Sequence, residues 1–187
     1  MRSSYAVISA SLLGLAAVAA PGTAHAALGA GTEQYNNEGR RMGVQPGLEV
    51  NGGLGTGFSS TYGISYEARL GYTFPVGVYV GGQVQAFYGQ SVNDVRSHAT
   101  FFGAEGGYKF FPLRYPIELR PYLFLGPAFI TQVRDDGSVN SKTGFAVQPG
   151  AMALYHLGPA YLGADFRFLA EPGPFAVSLY GMAGIGF

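Results

Sequence analysis

Hydrophobic and polar residues alternate along most of the chain after residue 43, and one stretch shows the alternation without a break. Within residues 62–74 every second residue is apolar or aromatic, and the residues between them are Gly, Ser, Thr, Glu and Arg. A period of two predicts a β-strand with two unlike faces. The same period recurs downstream, so the sequence predicts an all-β protein.

Turn signals divide this pattern into eight predicted strands. They cover residues 44–53, 62–74, 78–89, 100–111, 119–133, 143–156, 161–170 and 175–187. Short breaks, such as 75–77, alternate with longer polar breaks, such as 90–99. Strands of this length suit a bilayer, which a tilted strand crosses with ~9 to 11 residues. The pattern therefore predicts an eight-stranded antiparallel up-and-down transmembrane β-barrel.

Charged residues inside the predicted strands lie on the polar face, among glycines and glutamines. They are Glu49, Glu67, Arg69, Glu105, Lys109, Arg120, Asp165 and Arg167. Acidic and basic residues are equal in number, as a narrow lumen requires, because an isolated buried ion is very costly. We therefore expect these residues to form a lumen charge network, and the aromatic face to contact lipid. An eight-stranded barrel is filled by side chains, and we expect Tyr79, Phe87, Tyr161 and Tyr180 to help fill it.

Two other interpretations of the same alternation remain open at this stage. An exported soluble barrel of the lipocalin type would carry apolar side chains inside and its charges outside. Paired charges in strands could also serve as acid–base groups or as a proton path, instead of as ion pairs that hold the barrel together. The two barrel types differ in which face of residues 62–74 points inward.

Composition narrows the class of protein. Charged residues make up 12% of the chain, against about 25% in an average soluble protein. Eleven basic and eleven acidic residues give no net charge, so nothing points to a nucleic-acid partner. The chain has no Cys, which excludes disulfides, thiolate metal sites and acylation at an N-terminal Cys.

The N-terminal segment has the pattern of a cleavable export signal. Arg2 precedes an apolar run over residues 5–20, and the segment ends in the small-x-small sequence Ala24-His25-Ala26. We expect residues 1–26 to be a signal peptide cleaved after Ala26, with a short membrane anchor as the alternative. Residues 27–42 are polar and without a pattern, so we expect a flexible lead-in before a barrel domain at 43–187.

The segments LYGMAGIGF, RPYLFLGPAF and GADFRF resemble strands of the OmpA/OmpX-type family of small outer-membrane β-barrels, and the resemblance covers residues 43–187. It implies a place in the outer membrane of a Gram-negative bacterium, with outer-membrane lipid around the barrel. It also implies periplasmic termini, four longer extracellular loops, and a C-terminal signal read by the outer-membrane assembly machinery. Phe187, Ile185 and Leu179 fit that signal, whereas Ala183 and Gly181 fit it weakly.

Two prolines depart from a regular barrel strand, since Pro127 and Pro149 lack an N–H for the ladder. If the chain turns near residues 137–138, the two prolines lie almost opposite each other. We then expect one local bulge to accommodate both.

Candidate chemistry is sparse. His98, which follows Ser97, lies in a predicted loop, and His156 lies at the end of a predicted strand. Neither is part of an outward His-x-Ser pair on one strand or stands with an Asp-Ser pair on neighbouring loops, as would be expected of a lipid-modifying outer-membrane enzyme of this architecture. No metal-ligand or cofactor motif is present, and Asp135-Asp136 is typical of a solvated loop tip. We therefore expect a non-enzymatic protein with a structural role or a surface-interaction role through its loops, with an unidentified extracellular ligand. The alternative is a small transport pore or a conduit for hydrophobic solutes.

Overall fold

The computed structural model of the chain describes residues 34–35, 41–42, 44–59, 62–92, 94–112, 116–170 and 175–187. The expected signal peptide and most of the expected lead-in lie outside these residues. The strands are β1 (Gln34–Tyr35), β2 (Arg41–Met42), β3 (Gly47–Gly57), β4 (Ile64–Thr73), β5 (Val78–Val92), β6 (Val95–Tyr108), β7 (Ile117–Arg134), β8 (Val139–Leu157), β9 (Ala160–Leu169) and β10 (Ala176–Gly186). No helix within the described residues is long and apolar enough to cross a membrane.

Strands β3 to β10 form a closed barrel in which each strand pairs antiparallel with its neighbours in sequence, and β10 closes on β3. The predicted fold class is confirmed. β1 and β2 form a separate antiparallel pair. The chain enters β3 and leaves β10 at the same end of the barrel, where the N–H of Phe187 donates to the carbonyl of Leu48. We call this the termini end and the opposite one the distal end.

The two faces of each strand differ as the alternation predicts, with the apolar face outside. In β4, Leu70 is 55% exposed and its neighbour Arg69 is 2% exposed. The outer wall carries exposed Leu, Val, Ile, Tyr and Phe side chains on all eight strands, the reverse of a soluble barrel with an apolar interior. Tyr62 is the exception: predicted outside, it is buried, because β4 begins only at Ile64 and the alternation stops there.

The expected alternation of short and long connections is wrong. Residues 90–99, interpreted as a loop, belong almost entirely to β5 and β6, because β5 ends at Val92 and β6 begins at Val95. β5 to β8 have 14 to 19 residues, against 10 or 11 in the other four barrel strands, so they project beyond the barrel at its distal end. The longest connection between consecutive barrel strands has residues 109–116 and joins β6 to β7 at the termini end. Strand residues that project beyond the apolar outer wall are polar, so their sequence resembles that of a loop.

The predicted shared bulge at the two prolines is also wrong. Pro127 pairs with Phe145 and Pro149 pairs with Leu123, so the prolines are not opposite each other, and the β7–β8 register is continuous. Each proline instead interrupts the ladder on its other side, near Gly103 and Gly126 in β6–β7 and next to Gly150 in β8–β9. The missing N–H removes bonds without shifting the register, so no bulge is needed. Where β6 and β7 meet at this break, a Cβ on Gly126 would lie 2.2 Å from the carbonyl oxygen of Phe102.

Candidate functional site: the packed interior of the barrel

Five charged side chains meet in the middle of the barrel and form what we call the central cluster: Glu67, Arg69, Glu105, Asp165 and Arg167. They come from β4, β6 and β9, and all have side-chain exposures of 0 or 1%. Arg69 pairs with Glu67 at 3.3 Å, with Glu105 at 3.1 Å and, more closely, with Asp165. Arg167 pairs closely with Glu67 and Asp165. Three carboxylates thus surround two guanidinium groups, one acid more than the bases.

Neutral side chains complete the surroundings of the central cluster. The Tyr122 hydroxyl donates to Asp165 at 2.7 Å, and the Gln83 amide donates to Glu67 at 2.8 Å. The guanidinium of Arg69 lies 4.8 Å from the centre of the Tyr122 ring, and that of Arg167 lies 4.1 Å from the centre of the Tyr180 ring. Aromatic faces stabilise a desolvated guanidinium through cation–π attraction, so both arginines are enclosed by charge and by rings.

A second group of charges, the mouth cluster, lies nearer the termini end and consists of Glu49, Lys109, Glu118, Arg120 and His156. Arg120 lies 2.7 Å from both Glu49 and Glu118. Lys109 contacts Glu49 closely and Glu118 at 3.3 Å. The His156 ring approaches Glu118 at 2.8 Å and is 22% exposed, so this cluster, unlike the central one, has an edge towards solvent.

Apolar residues fill the distal part of the interior, which we call the apolar cap. Its members are Tyr62, Phe87, Ala99, Phe101, Phe124, Ala128, Ala146, Leu169 and Ala176, all at most 3% exposed. The Phe87 ring packs edge-on against Tyr62 at 5.2 Å and against Phe101 at 5.5 Å. A hydrogen bond of 2.9 Å between Gln85 and Gln148 lies between the cap and the central cluster. The interior is thus divided into three packed levels.

The eight charged residues predicted from sequence all lie inside the barrel, each at most 7% exposed. The structure brings them together in two groups, with Glu49, Lys109 and Arg120 in the mouth cluster and the other five in the central cluster. Sequence analysis missed Glu118, which it assigned to a turn, and the contact of Glu118 with His156. The signal was present, because Glu118 precedes Arg120 by two residues and shares its strand face.

The residues of the expected assembly signal and His98 lie on the outer wall. Leu179, Ile185 and Phe187 are exposed, as an outward C-terminal stripe would be. His98 lies on β6, not in a loop, and its ring packs edge-on against Tyr88 at 5.3 Å. Ser97, the neighbour of His98, is buried on the opposite face of β6, so these two side chains cannot act as a pair.

Side chains that contact one another fill the interior of the barrel. Its carboxylates are occupied by guanidinium, ammonium, imidazole, hydroxyl and amide groups, and aromatic rings fill the distal level. Within the described ranges, no group of three or more His, Asp or Glu side chains is arranged to hold a metal ion. The arrangement holds strands together across the lumen instead of leaving a passage through it.

Comparison with solved structures places this architecture among known barrels. Neisserial surface protein A (NspA) matches with a TM-score of 0.60 and 14% identity, over 75% of this chain and 96% of that one. The N-terminal β-barrel domain of Pseudomonas aeruginosa OprF matches with a TM-score of 0.58 and 14% identity, over 76% and 100%. Ail, the attachment invasion locus protein of Yersinia pestis, matches with a TM-score of 0.52 and 12% identity, over 75% and 96%.

The chain has the fold of the small outer-membrane barrels. The predicted resemblance to barrels of the OmpA/OmpX type is therefore confirmed at the level of the fold. No protein-family model and no curated protein sequence matches the chain. At 12–14% identity, the likeness concerns architecture, and the role of the protein has to be argued from its own residues.

Proposed function

We propose that this protein is a non-enzymatic outer-membrane barrel of a Gram-negative bacterium. Its interior is filled by side chains and is closed to solutes. Its role is structural, or it presents a surface to a partner outside the cell. The observation that carries the proposal is the combination of an apolar outer wall with an interior packed at every level. An apolar outer wall suits lipid, and closure of the barrel leaves no unpaired edge inside a bilayer.

The orientation is part of the same proposal, and the resemblance to small outer-membrane barrels supports it. The termini end faces the periplasm, in line with an exported chain whose leader is cleaved after Ala26. The distal end then faces outwards and carries the projecting part of β5 to β8. Because the connections there are short, we place the surface role on these projecting strands and not on long loops. The outward stripe of Leu179, Ile185 and Phe187 is the proposed signal for the assembly machinery.

A transport pore is disfavoured by the packing. A conducting path would have to pass the mouth cluster, the central cluster and the apolar cap in series. Displacing a buried ion pair leaves uncompensated charge in a medium of low dielectric constant, at a cost of several kcal/mol per ion. An interior of eight strands is just wide enough for side chains, in contrast to the aqueous channels of 16- to 18-stranded porins.

The test is planar-bilayer conductance of the refolded mature protein, with its folded state checked by heat-dependent gel migration. We expect no steady unitary conductance. A matched variant, Phe87→Ala combined with Phe101→Ala, thins the apolar cap and leaves both charge clusters intact, so it should also remain closed. Stable unitary steps from the unaltered protein would replace this proposal by the transport pore.

A further inference from the structure

The central cluster has one carboxyl group more than its cations can match. Glu67, Glu105 and Asp165 are enclosed with Arg69 and Arg167, and the side-chain exposures of all five are 0 or 1%. If every group were ionised, this level of the barrel would hold one unmatched negative charge away from water. An unmatched buried ion is very costly, and a carboxyl group in such surroundings becomes neutral by binding a proton.

The mouth cluster does not supply the missing positive charge. Its two carboxylates, Glu49 and Glu118, are matched by two cations, Lys109 and Arg120. Its fifth member, His156, contacts Glu118 at the solvent edge, where water and salt screen any charge on the ring. The unmatched negative charge therefore stays in the central cluster.

The three carboxyl groups of the central cluster differ in how many donors reach them. Asp165 accepts from both guanidinium groups and from a tyrosine hydroxyl at 2.7 Å. Glu67 accepts from both guanidinium groups and from a glutamine amide at 2.8 Å. In the described part of the chain, Glu105 accepts from Arg69 alone, at 3.2 Å through its Oε1 atom. Because hydrogen bonds to a carboxylate stabilise its charged form, Glu105 is the member least stabilised as an anion.

Two acceptor atoms on neighbouring parts of the wall lack a donor. They are Oε2 of Glu105 and Oε1 of Gln83, both buried and without a hydrogen-bond partner among the described residues. Glu105 pairs with Gly81 in the β5–β6 ladder, and Gln83 pairs with Gly103, so the two side chains are diagonal neighbours on the inner face. Long side chains in diagonal positions can reach each other. A proton on Glu105 lets its carboxyl group donate to Gln83, which satisfies both atoms.

Charged and titratable groups face Glu105 from four other strands. They are Glu67 and Arg69 on β4, Tyr79 on β5, Arg120 and Tyr122 on β7, and Asp165 and Arg167 on β9. The two acids repel a third anion, and each arginine in this group already pairs with other carboxylates. The two tyrosines are neutral at neutral pH and add no positive charge. These surroundings favour a neutral carboxyl group at Glu105.

We propose that the folded barrel binds one proton in the central cluster, on Glu105, whose neutral carboxyl group donates to Gln83 and accepts from Arg69. The proton is released when the barrel unfolds at neutral pH, because an exposed glutamate ionises at about pH 4.3. Folding at neutral pH therefore takes up one proton, and mildly acidic surroundings favour the folded barrel over the unfolded chain. This property is additional to the proposed closed barrel and does not depend on its surface role.

Infrared spectroscopy of the mature barrel detects this proton, because a neutral carboxyl group has a carbonyl stretch that a carboxylate lacks. The barrel is refolded in a detergent without carbonyl groups and measured at neutral pH in heavy water. We expect one such band. Labelling the glutamate carboxyl groups with the heavy stable isotope of carbon should shift the band to lower frequency, which assigns it to a glutamate and not to Asp165. Both measurements use the unaltered chain, so they do not depend on how any variant folds.

Two matched variants assign the band to one glutamate. Glu105→Gln should remove the band and keep the fold, since glutamine has the shape of the neutral carboxyl group and an oxygen that accepts from Arg69. Glu118→Gln makes the same replacement in the mouth cluster and should keep the band.

Urea unfolding at several pH values counts the proton. From about pH 5 to neutral pH, the unfolded chain binds one proton fewer than the folded barrel, so the unfolding free energy falls as the pH rises. One proton changes the unfolding equilibrium constant about tenfold per pH unit. Glu105→Gln should lack this contribution. It keeps every other acid and every histidine of the chain, so their titration cancels in the comparison with the unaltered barrel.

The absence of a carboxyl band from the unaltered barrel at neutral pH would overturn the proposal. A band that the labelled glutamates do not shift would place the proton on Asp165, and a band that survives in Glu105→Gln would place it on another glutamate. Either result would overturn the assignment to Glu105, as would equal pH dependence of unfolding in Glu105→Gln and the unaltered barrel. None of these results touches the closed-barrel proposal, which the conductance measurement tests separately.

Discussion

The half of the interior near the termini end is filled by ion pairs, whereas the distal half is filled by aromatic rings and small apolar side chains. In the charged half, each group depends on partners from distant parts of the chain, as when Arg69 on β4 pairs with Asp165 on β9. In the apolar cap, Phe87, Phe101 and Tyr62 need only neighbours of suitable volume. Burial of apolar surface is non-directional, but a buried ion needs a particular counter-ion.

Because of this difference, we expect the two halves to respond differently to amino-acid substitutions. Loss of one charged group leaves its partners buried and unpaired, so the penalty includes their desolvation. Loss of part of an aromatic ring costs only the transfer and cavity terms of the missing atoms. The charged half should therefore be sensitive to substitution and the apolar cap tolerant, although the central cluster and the apolar cap are both almost completely buried.

Arg69→Leu should show the largest effect. It leaves Glu105 without its only ion-pair partner among the described residues and leaves Arg167 alone beside Glu67 and Asp165. Breaking a buried pair on one side costs about 3–5 kcal/mol of unfolding free energy. The measurement is urea unfolding of the folded barrel in lipid vesicles.

The control for Arg69→Leu is Tyr66→Leu on the same strand. Tyr66 is 47% exposed on the outer wall, and leucine keeps an apolar group there, so the unfolding free energy should change little. A harmless Arg69→Leu together with a severe Tyr66→Leu would mean that the two faces of the barrel are reversed.

Phe101→Leu places the same new side chain in the apolar cap and should cost less. Phe101 is fully buried and packs against Phe87 and Tyr62. Hydrophobic replacements of similar size usually cost under about 1.5 kcal/mol. Because both variants end in leucine, the same urea titration compares the two halves directly. If Phe101→Leu and Arg69→Leu lowered the free energy of unfolding equally, the expected difference between the charged half and the apolar cap would be wrong.

Strand alternation was enough to predict the fold and the faces of its strands. Glu67 and Arg69 alternate with Tyr66 and Leu70, and a period of two allows only two faces. Alternation is a local property, however, and it failed where a strand ended or left the apolar zone. Tyr62 continues the pattern of β4 but lies before the strand, and residues 90–99 are too polar to resemble the strands that they form.

The contacts between side chains inside the barrel were harder to predict from the sequence. Which acid meets which base depends on the register between strands and on the closure of β10 against β3. Glu49 pairs with Arg120 and Lys109 from the opposite side of the barrel, which no local pattern encodes. Glu118 was missed because the prolines around residues 112–116 indicated a turn, and β7 begins directly after them at Ile117.

Of the changes inside the barrel, Glu105→Gln should have the smallest effect, and it tests the sensitivity of the charged half within the central cluster. The central cluster has three carboxylates and two guanidinium groups. Among the described residues, Glu105 forms an ion pair only with Arg69, whereas Asp165 contacts Arg69, Arg167 and Tyr122. Glutamine keeps the shape of Glu105 and an oxygen that accepts from Arg69, and it leaves two carboxylates for two guanidinium groups. We expect a loss of under about 1 kcal/mol, below the ~1.5–3 kcal/mol typical of a hydrogen bond to a charged group.

Asp165→Asn is the matched variant for Glu105→Gln, since it also replaces a carboxylate by its amide. Its new amide nitrogen would be held against one of two guanidinium groups or the Tyr122 hydroxyl, all of which donate to Asp165. The unfolding free energy should fall by about 1.5–3 kcal/mol, the range for losing a hydrogen bond to a charged group. If the two variants lose the same free energy of unfolding, the sensitivity of the central cluster would depend on its number of charges. It would not depend on how many partners each charge has.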